Sequence, residues 1–273
     1  MTEPARHPIL HSYRVTTPTL DGVISPGEWD DATRFTGVRD WVDVMHPVTD
    51  DRDLSLVGYV KHDHERLYFA FDVTDDVLYG LTIPRWNPPE FPNAQAWPWF
   101  GDGMEILINA SNDLTGPAGA QHAHGDGRSF QMVCSTHKSH LGGLGVPGLA
   151  LGEPGDRAEP WATYDRWIRQ GHQRAAVTIK PDMTGYVIEW SIRFDPCLEL
   201  RPGVCYDPSM PDTSVGLNLA VQDLDQMEKG VGAFAHFHHE SWWSKRTGRG
   251  DSRDNWGTLI LMQGQRPDDE GHA

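Results

Sequence analysis

The chain has little cysteine: three residues among 273, Cys134, Cys197 and Cys205. An odd number at loose spacing makes neither a disulfide framework nor a zinc-thiolate signature. Cys197 and Cys205 are near enough in sequence to bridge a loop, but reduced thiols are the expected state. Positive charge is also scarce, with 23 Lys and Arg against 39 Asp and Glu and a formal net charge of −16. A phosphate backbone needs a basic surface, so no nucleic-acid partner is expected, and an anionic membrane surface is disfavoured for the same reason. Strongly acidic polysaccharides are disfavoured too, unless a local arginine pocket overrides the mean. A neutral sugar is compatible with this balance, and surplus carboxylates also favour solubility. No apolar run approaches 18 residues, so no membrane-spanning helix is expected. The opening MTEPARHPILHSY has no apolar core of a secretory signal. As written the chain reads as cytoplasmic, and as secreted if the native start lies upstream. Nothing in the sequence decides an oligomeric state.

Turn formers and aromatic rings are what the chain does have. Gly and Pro contribute 28 and 20 residues, and Trp alone 11. Period-two alternation dominates and sustained helical periodicity is absent. Leu67, Phe69, Phe71 and Val73 alternate with Tyr68, Ala70 and Asp72. Met104, Ile106 and Ile108 alternate with Glu105, Leu107 and Asn109, and Tyr186, Ile188, Trp190 and Ile192 with Val187, Glu189, Ser191 and Arg193. Further strands are expected at 54–60, 129–134, 175–180, 215–221 and 257–262, each bounded by turn residues. A single helical turn is conceivable at 26–33, with Ser25 as cap and Pro26 at the first helical position. Eight or more short strands predict an all-β chain, a two-sheet antiparallel β-sandwich of jelly-roll-like character with its first and last strands close together. The expected organisation is an N-terminal extension at 1–14, one sandwich domain at 15–264 and a flexible tail at 265–273. Long Trp- and His-rich loops fall at 84–100, 111–127, 138–170 and 223–254, and carry Trp86, Trp97, Trp99, Trp161, Trp167, Trp242 and Trp243. Trp29 and Trp190 are assigned to the core.

Five groups of residues occur in a telling order. They are Leu20-Asp21-Gly22 with Pro26-Gly27-Glu28-Trp29 and Ala32, then Asp102-Gly103-Met104-Glu105-Ile106, then Gly185 to Trp190. Gly216-Leu217-Asn218 through Asp225 and Asn255-Trp256-Gly257 through Leu261 complete the set. Together they resemble a family 9 carbohydrate-binding module, a β-sandwich that clamps the end of a sugar chain between aromatic rings. The resemblance implies saccharide contact by Trp99, Glu105 and Trp256. Its nearest matches for an arginine and for flanking polar side chains are Arg128, Gln131, Asp254 and Asn255. The chemistry is coherent, since sugars offer C–H faces to flat rings and hydroxyl edges to charged or amide groups. Trp99 precedes Glu105 by six residues, so a strand opening at Glu105 would let both converge on one ligand.

The 14 histidines include two close sets. His122 and His124 precede Asp126, and His236, His238 and His239 precede Glu240. Residues two apart on a strand share a face, so His122 with His124 and His236 with His238 are candidate ligands for one transition metal. The alternatives are solvated loop histidines or rings stacked on sugar. Family 9 modules often carry calcium, and acids cluster at Asp50, Asp51 and Asp53, at Asp75 and Asp76, and at Asp223 and Asp225. None forms an EF-hand loop, and plain turn residues are the other reading.

The leading functional expectation is non-catalytic binding of a mono- or disaccharide or a glycan terminus. A glycoside hydrolase or lyase on the same scaffold is the alternative. It would use Glu105 with Glu240 or Asp254 as paired carboxylates, or His238 or His239 as a base. A haem-binding sandwich using Met104 and histidine is a third.

Overall fold

The computed structural model describes residues 8–38, 41–43, 48–79, 101–112, 129–136, 147–149, 167–225, 238–242 and 257–266. For 42–43, 129–131, 147–149 and 238–242 it describes the backbone path alone. The strands are β1 (Ile9–Ser12), β2 (Thr33–Thr36), β3 (Val42–Asp43), β4 (Leu54–His62), β5 (Arg66–Asp75), β6 (Gly103–Asn109), β7 (Ser129–Ser135) and β8 (Pro147–Leu149). They continue as β9 (Gln173–Ile179), β10 (Gly185–Arg193), β11 (Glu199–Arg201), β12 (Val204–Cys205), β13 (Thr213–Leu224), β14 (His238–Trp242) and β15 (Gly257–Leu261).

Two sheets pack face to face, as the alternation predicts. The smaller has the order β2-β4-β5-β10-β9 and is antiparallel throughout. The larger runs β1-β15-β13-β6-β7-β8. The length of β13 organises the larger sheet. Its first half pairs with β15, its second half with β14, and its other edge with β6. β1 joins β15 in parallel, with Ile9 opposite Thr258. Between the sheets, Phe69, Phe71, Ile188 and Trp190 meet Met104, Ile106, Leu219 and Val221 in one buried cluster. Each such side chain contributes about 1.5–3 kcal/mol on burial.

The outer faces depart from simple alternation. Tyr68 and Ala70 face outward on β5, yet both are buried. They are covered by Trp29 and Ala32, which form a second cluster outside the smaller sheet with Leu20 and Ile24 around them. Trp29 is therefore core, but not of the inter-sheet core that Trp190 occupies. The segment 15–32 acts as a strap, and Glu189 fastens it. Its Oε2 accepts the Asp21 and Gly22 N–H groups at 2.9 and 2.8 Å, and its Oε1 accepts Trp29 Nε1–H at 3.0 Å. Gly22 is required there, since its φ is +81° and any Cβ would collide with the Thr178 side chain. The resemblance motifs near residues 20–32 and 185–190 are thus two halves of one contact.

Several expectations need correction. Residues 9–12, expected in an N-terminal extension, are β1, because a parallel partner satisfies the outer edge of β15. The segment 26–32 makes turns (Glu28 N–H to Ser25 O, Ala32 N–H to Trp29 O) rather than a helical turn. Trp167, expected on a ligand loop, is buried in the inter-sheet core. Trp242, also expected on a loop, ends β14. Arg266, at the start of the expected tail, donates to Ala32 O at 2.9 Å. Met104 points between the sheets, fully buried, so it belongs to the packing and offers no axial ligand on a ligand-facing surface. The three cysteines are free.

Candidate functional site

Glu105 lies on the outer face of β6, since Met104 and Ile106 point into the core. Its neighbour across β13 is Ala220, and the diagonal partner Gln222 donates Nε2–H to Glu105 Oε1 at 2.8 Å. Asn109 and Asn218 continue the same face, because Leu107, between Glu105 and Asn109 in the alternation, pairs with Asn218. Glu105, Asn109, Asn218 and Gln222 are all at most 4% exposed. A buried row of carboxylate and amides is costly unless hydrogen bonds satisfy it. The same residue types make up the mixed donor and acceptor set that sugar hydroxyls require. Two expected partners reach this region by backbone. Gln131 pairs with Leu107 from β7, and His238 pairs with Leu224 from β14. Glu240, the alternative catalytic carboxylate, pairs with Gln222. Trp99, Arg128, Asp254, Asn255, Trp256, His122, His124 and His236 lie outside the described residues.

A second constellation sits at the end of the sandwich where β5, β6 and β13 meet. Asp75, Asp102 and Asp223 each bring a carboxylate oxygen to within 4.8 Å of the other two, and all three are fully buried. Asp102 accepts Tyr79 N–H at 2.6 Å and Leu224 N–H at 3.2 Å. Asp75 Oδ1 accepts Val77 N–H at 2.9 Å. Asp75 Oδ2 and both oxygens of Asp223 are buried without a hydrogen-bond partner among the described residues. Burial raises all three carboxyls far above the usual carboxylate range, and the charge of Asp102 adds to it at Asp75, that of Asp75 at Asp223. No cation offsets these charges among the described residues. A second acid group, Asp53, Asp76 and Asp225, has oxygens equally close together. There burial, then the charges of Asp225 and Asp53, raises Asp76.

No protein-family model and no curated protein matches the sequence. Solved structures match it in fold. A family 9 carbohydrate-binding module from Caldicellulosiruptor kristjanssonii in complex with cellotriose superposes with a TM-score of 0.56 at 13% identity, covering 97% of this chain and 98% of that one. A family 9 module from the same organism in complex with glucose gives 0.54 at 12% identity, covering 97% and 100%. The chain has a family 9-like fold.

Within this family 9-like sandwich the acids regroup. Sequence adjacency suggests Asp75 with Asp76 and Asp223 with Asp225. Neither pair is held on one strand face, because Asp76 lies just past the end of β5 and Asp225 just past the end of β13, where the regular alternation stops. Asp75 and Asp223 turn inward toward Asp102, while Asp76 and Asp225 join Asp53. Asp102 lies outside the expected acid clusters, and its signal in the sequence is an Asp directly before the glycine that opens β6. The three inward carboxylates, two of them with orphaned oxygens, are an all-oxygen donor set with no His or Cys. That suits a hard divalent cation such as calcium rather than a transition metal.

Proposed function

We propose that this chain is a non-catalytic saccharide-binding protein that holds one or two rings of a sugar terminus over the outer face of the eight-stranded sheet. The observation that carries the reading is the buried polar row of Glu105, Gln222, Asn109 and Asn218. A sandwich face serving only stability is filled more favourably with apolar side chains. Glu105, held by Gln222, accepts hydrogen bonds from sugar hydroxyls. Trp99 and Trp256 supply the stacking walls, and Arg128, Gln131, Asp254 and Asn255 the polar rim. The family 9 modules of the same fold are complexed with cellotriose and glucose, which makes β-glucan termini the first ligands to try. Calcium at Asp75, Asp102 and Asp223 neutralises the buried carboxylates. It acts as a structural tie, since Asp75 comes from the smaller sheet and the other two from the larger.

The test is calorimetric titration with glucose, cellobiose and cellotriose, with product analysis after long incubation. Glu105→Gln removes a charged acceptor and should weaken binding roughly ten- to hundredfold. Trp99→Ala removes a stacking ring and should lose about 1–3 kcal/mol. Folded variants that bind as the parent does would remove this site from consideration. Accumulating reducing ends or unsaturated products would favour the hydrolase or lyase instead.

A further inference from the structure

The opposite side of the molecule carries a concentration of arginine that the mean charge hides. Arg66 opens β5, Arg193 ends β10 opposite it, and Arg174 pairs with Ser191 from β9. All three belong to the outer face of the smaller sheet, since Leu67, Ile192 and Ala175 beside them turn inward. Arg66 is only 9% exposed. It is locked in place, donating to Gly171 O at 2.8 Å, Ser191 Oγ at 3.2 Å and His172 O at 3.4 Å. Gly171 also seats Arg174. Its φ is +72°, and a Cβ there would come within 3.1 Å of Arg174 Nε and Nη2. The two guanidiniums therefore converge on one glycine turn. Burial, then the charge of Arg174, lowers the pKa of Arg66, as two close cations should.

The nearby acids are already engaged. Asp63 accepts Thr17 Oγ1–H, Tyr68 O–H and the N–H groups of Glu65 and Arg66, all between 2.6 and 2.8 Å. Glu65 bridges Arg193 at 2.8 Å. Arg174 is exposed and makes no hydrogen bond or ion pair among the described residues. It borders a groove of about 710 Å³ whose other walls include Pro18, Leu20, Ile168 and Tyr68, together with the engaged carboxylates of Asp63 and Glu65. That volume is typical of small-ligand sites.

We propose that this groove is a second ligand site, specific for a carboxylate-bearing sugar such as a hexuronate unit. Arg174 offers the planar fork that matches a carboxylate in two parallel hydrogen bonds. The apolar walls take the C–H face of the ring. A monoanion suits the site better than a dianionic phosphate, because the rest of the chain carries a strong negative excess and repels the second charge. The carboxylate selection rests on this geometry alone. Its presentation on a sugar rests on the saccharide reading above.

The experiment is titration of the full chain with glucuronate, glucose, acetate and inorganic phosphate at low salt, for the parent, Arg174→Ala, Arg174→Lys and Glu105→Gln. Arg174 is exposed, so its variants should fold. The expected result is glucuronate bound roughly tenfold or more tightly than glucose or acetate, weakening with added salt. Arg174→Ala abolishes that preference, Arg174→Lys recovers only part of it, and neither changes glucose affinity. Glu105→Gln lowers glucose affinity and spares the glucuronate preference. Glucuronate binding unaffected by Arg174→Ala overturns the site. If Glu105→Gln abolishes it instead, the uronate enters the other face and the groove is not its site. Acetate binding as tightly as glucuronate overturns the sugar assignment, and tighter phosphate binding overturns the carboxylate assignment.

Discussion

Two buried charge clusters in this molecule are built on opposite principles. On the outer face of the smaller sheet, Lys61 is fully buried, but every demand of its ammonium is met. Nζ donates to Asp31 Oδ1 at 2.9 Å and to Glu28 O at 2.5 Å, and lies 4.9 Å from the centre of the Trp29 ring. At the end of the sandwich, Asp75, Asp102 and Asp223 are as deeply buried and have no counter-charge among the described residues. Burying an unpaired charge costs several kcal/mol, so without a counter-charge these carboxyls hold their protons, the meaning of their raised pKa values. The first cluster is complete as folded. The second is an all-oxygen acceptor set with no cationic side chain among the described residues, which is the chemistry that favours the proposed calcium.

The largest expected effect is at Asp223. With calcium at about a thousand times its dissociation constant, linkage adds roughly 4 kcal/mol, or about 10 °C in Tm for a chain of this size. Asp223→Asn should reverse sign with condition: less stable than the parent in calcium, equally or more stable in chelator. Thermal melts with and without a chelator decide it, and an Asp223→Asn penalty of equal size in both would end the cation reading.

His62 offers a third kind of buried group, one kept neutral. Ser12 Oγ lies 2.8 Å from its Nδ1, and burial holds its pKa down to about 4. The unfolded ring protonates near 6.5, so the unfolded state binds the extra proton between these values. The stability is therefore fully present above about pH 6.5 and is lost as pH falls through 4, by about 3 kcal/mol at most. Denaturant midpoints measured from pH 7 to 4 should fall more steeply for the parent than for His62→Gln. Parallel slopes would contradict the buried neutral ring.

Lys61→Met keeps the stem and removes the charge. Asp31 is part exposed and keeps both bonds from Thr16, so the loss should be only about 1–2 kcal/mol after solvent screening. A much larger loss would mean that the strap depends on this one ammonium. The smallest effect belongs to Lys180, whose 2.7 Å bridge to Asp72 is at the surface. Lys180→Ala should cost under about 1 kcal/mol and less still at high salt. Equal costs at Lys61 and Lys180 would show that burial does not set the difference.

The long strands were legible because one face of each meets a single apolar core. Leu67 to Val73 and Tyr186 to Ile192 alternate strictly, and β5 and β10 pair along nine residues. The short strands were not. β3, β8 and β14 have two, three and five residues, too few for a period to declare itself, and pairing with a longer neighbour is what makes them strands. Among the site residues, Glu105 was legible as the polar member of an alternating strand. Its clasp by Gln222, 117 positions away, was not.

By itself the sequence determined what is local: the period of two, the turns at Gly and Asp, the excess of carboxylate, and which face of each long strand is apolar. Only the tertiary structure decided what is shared between distant segments. It joined Asp21, Gly22 and Trp29 to Glu189, separated Asp75 from Asp76 to bring it to Asp102 and Asp223, and gathered Arg66 and Arg174 over Gly171. The reason is the geometry of a strand. Neighbours along the chain point to opposite faces, so chemistry that needs convergent side chains draws them from different strands, and register alone fixes which ones meet.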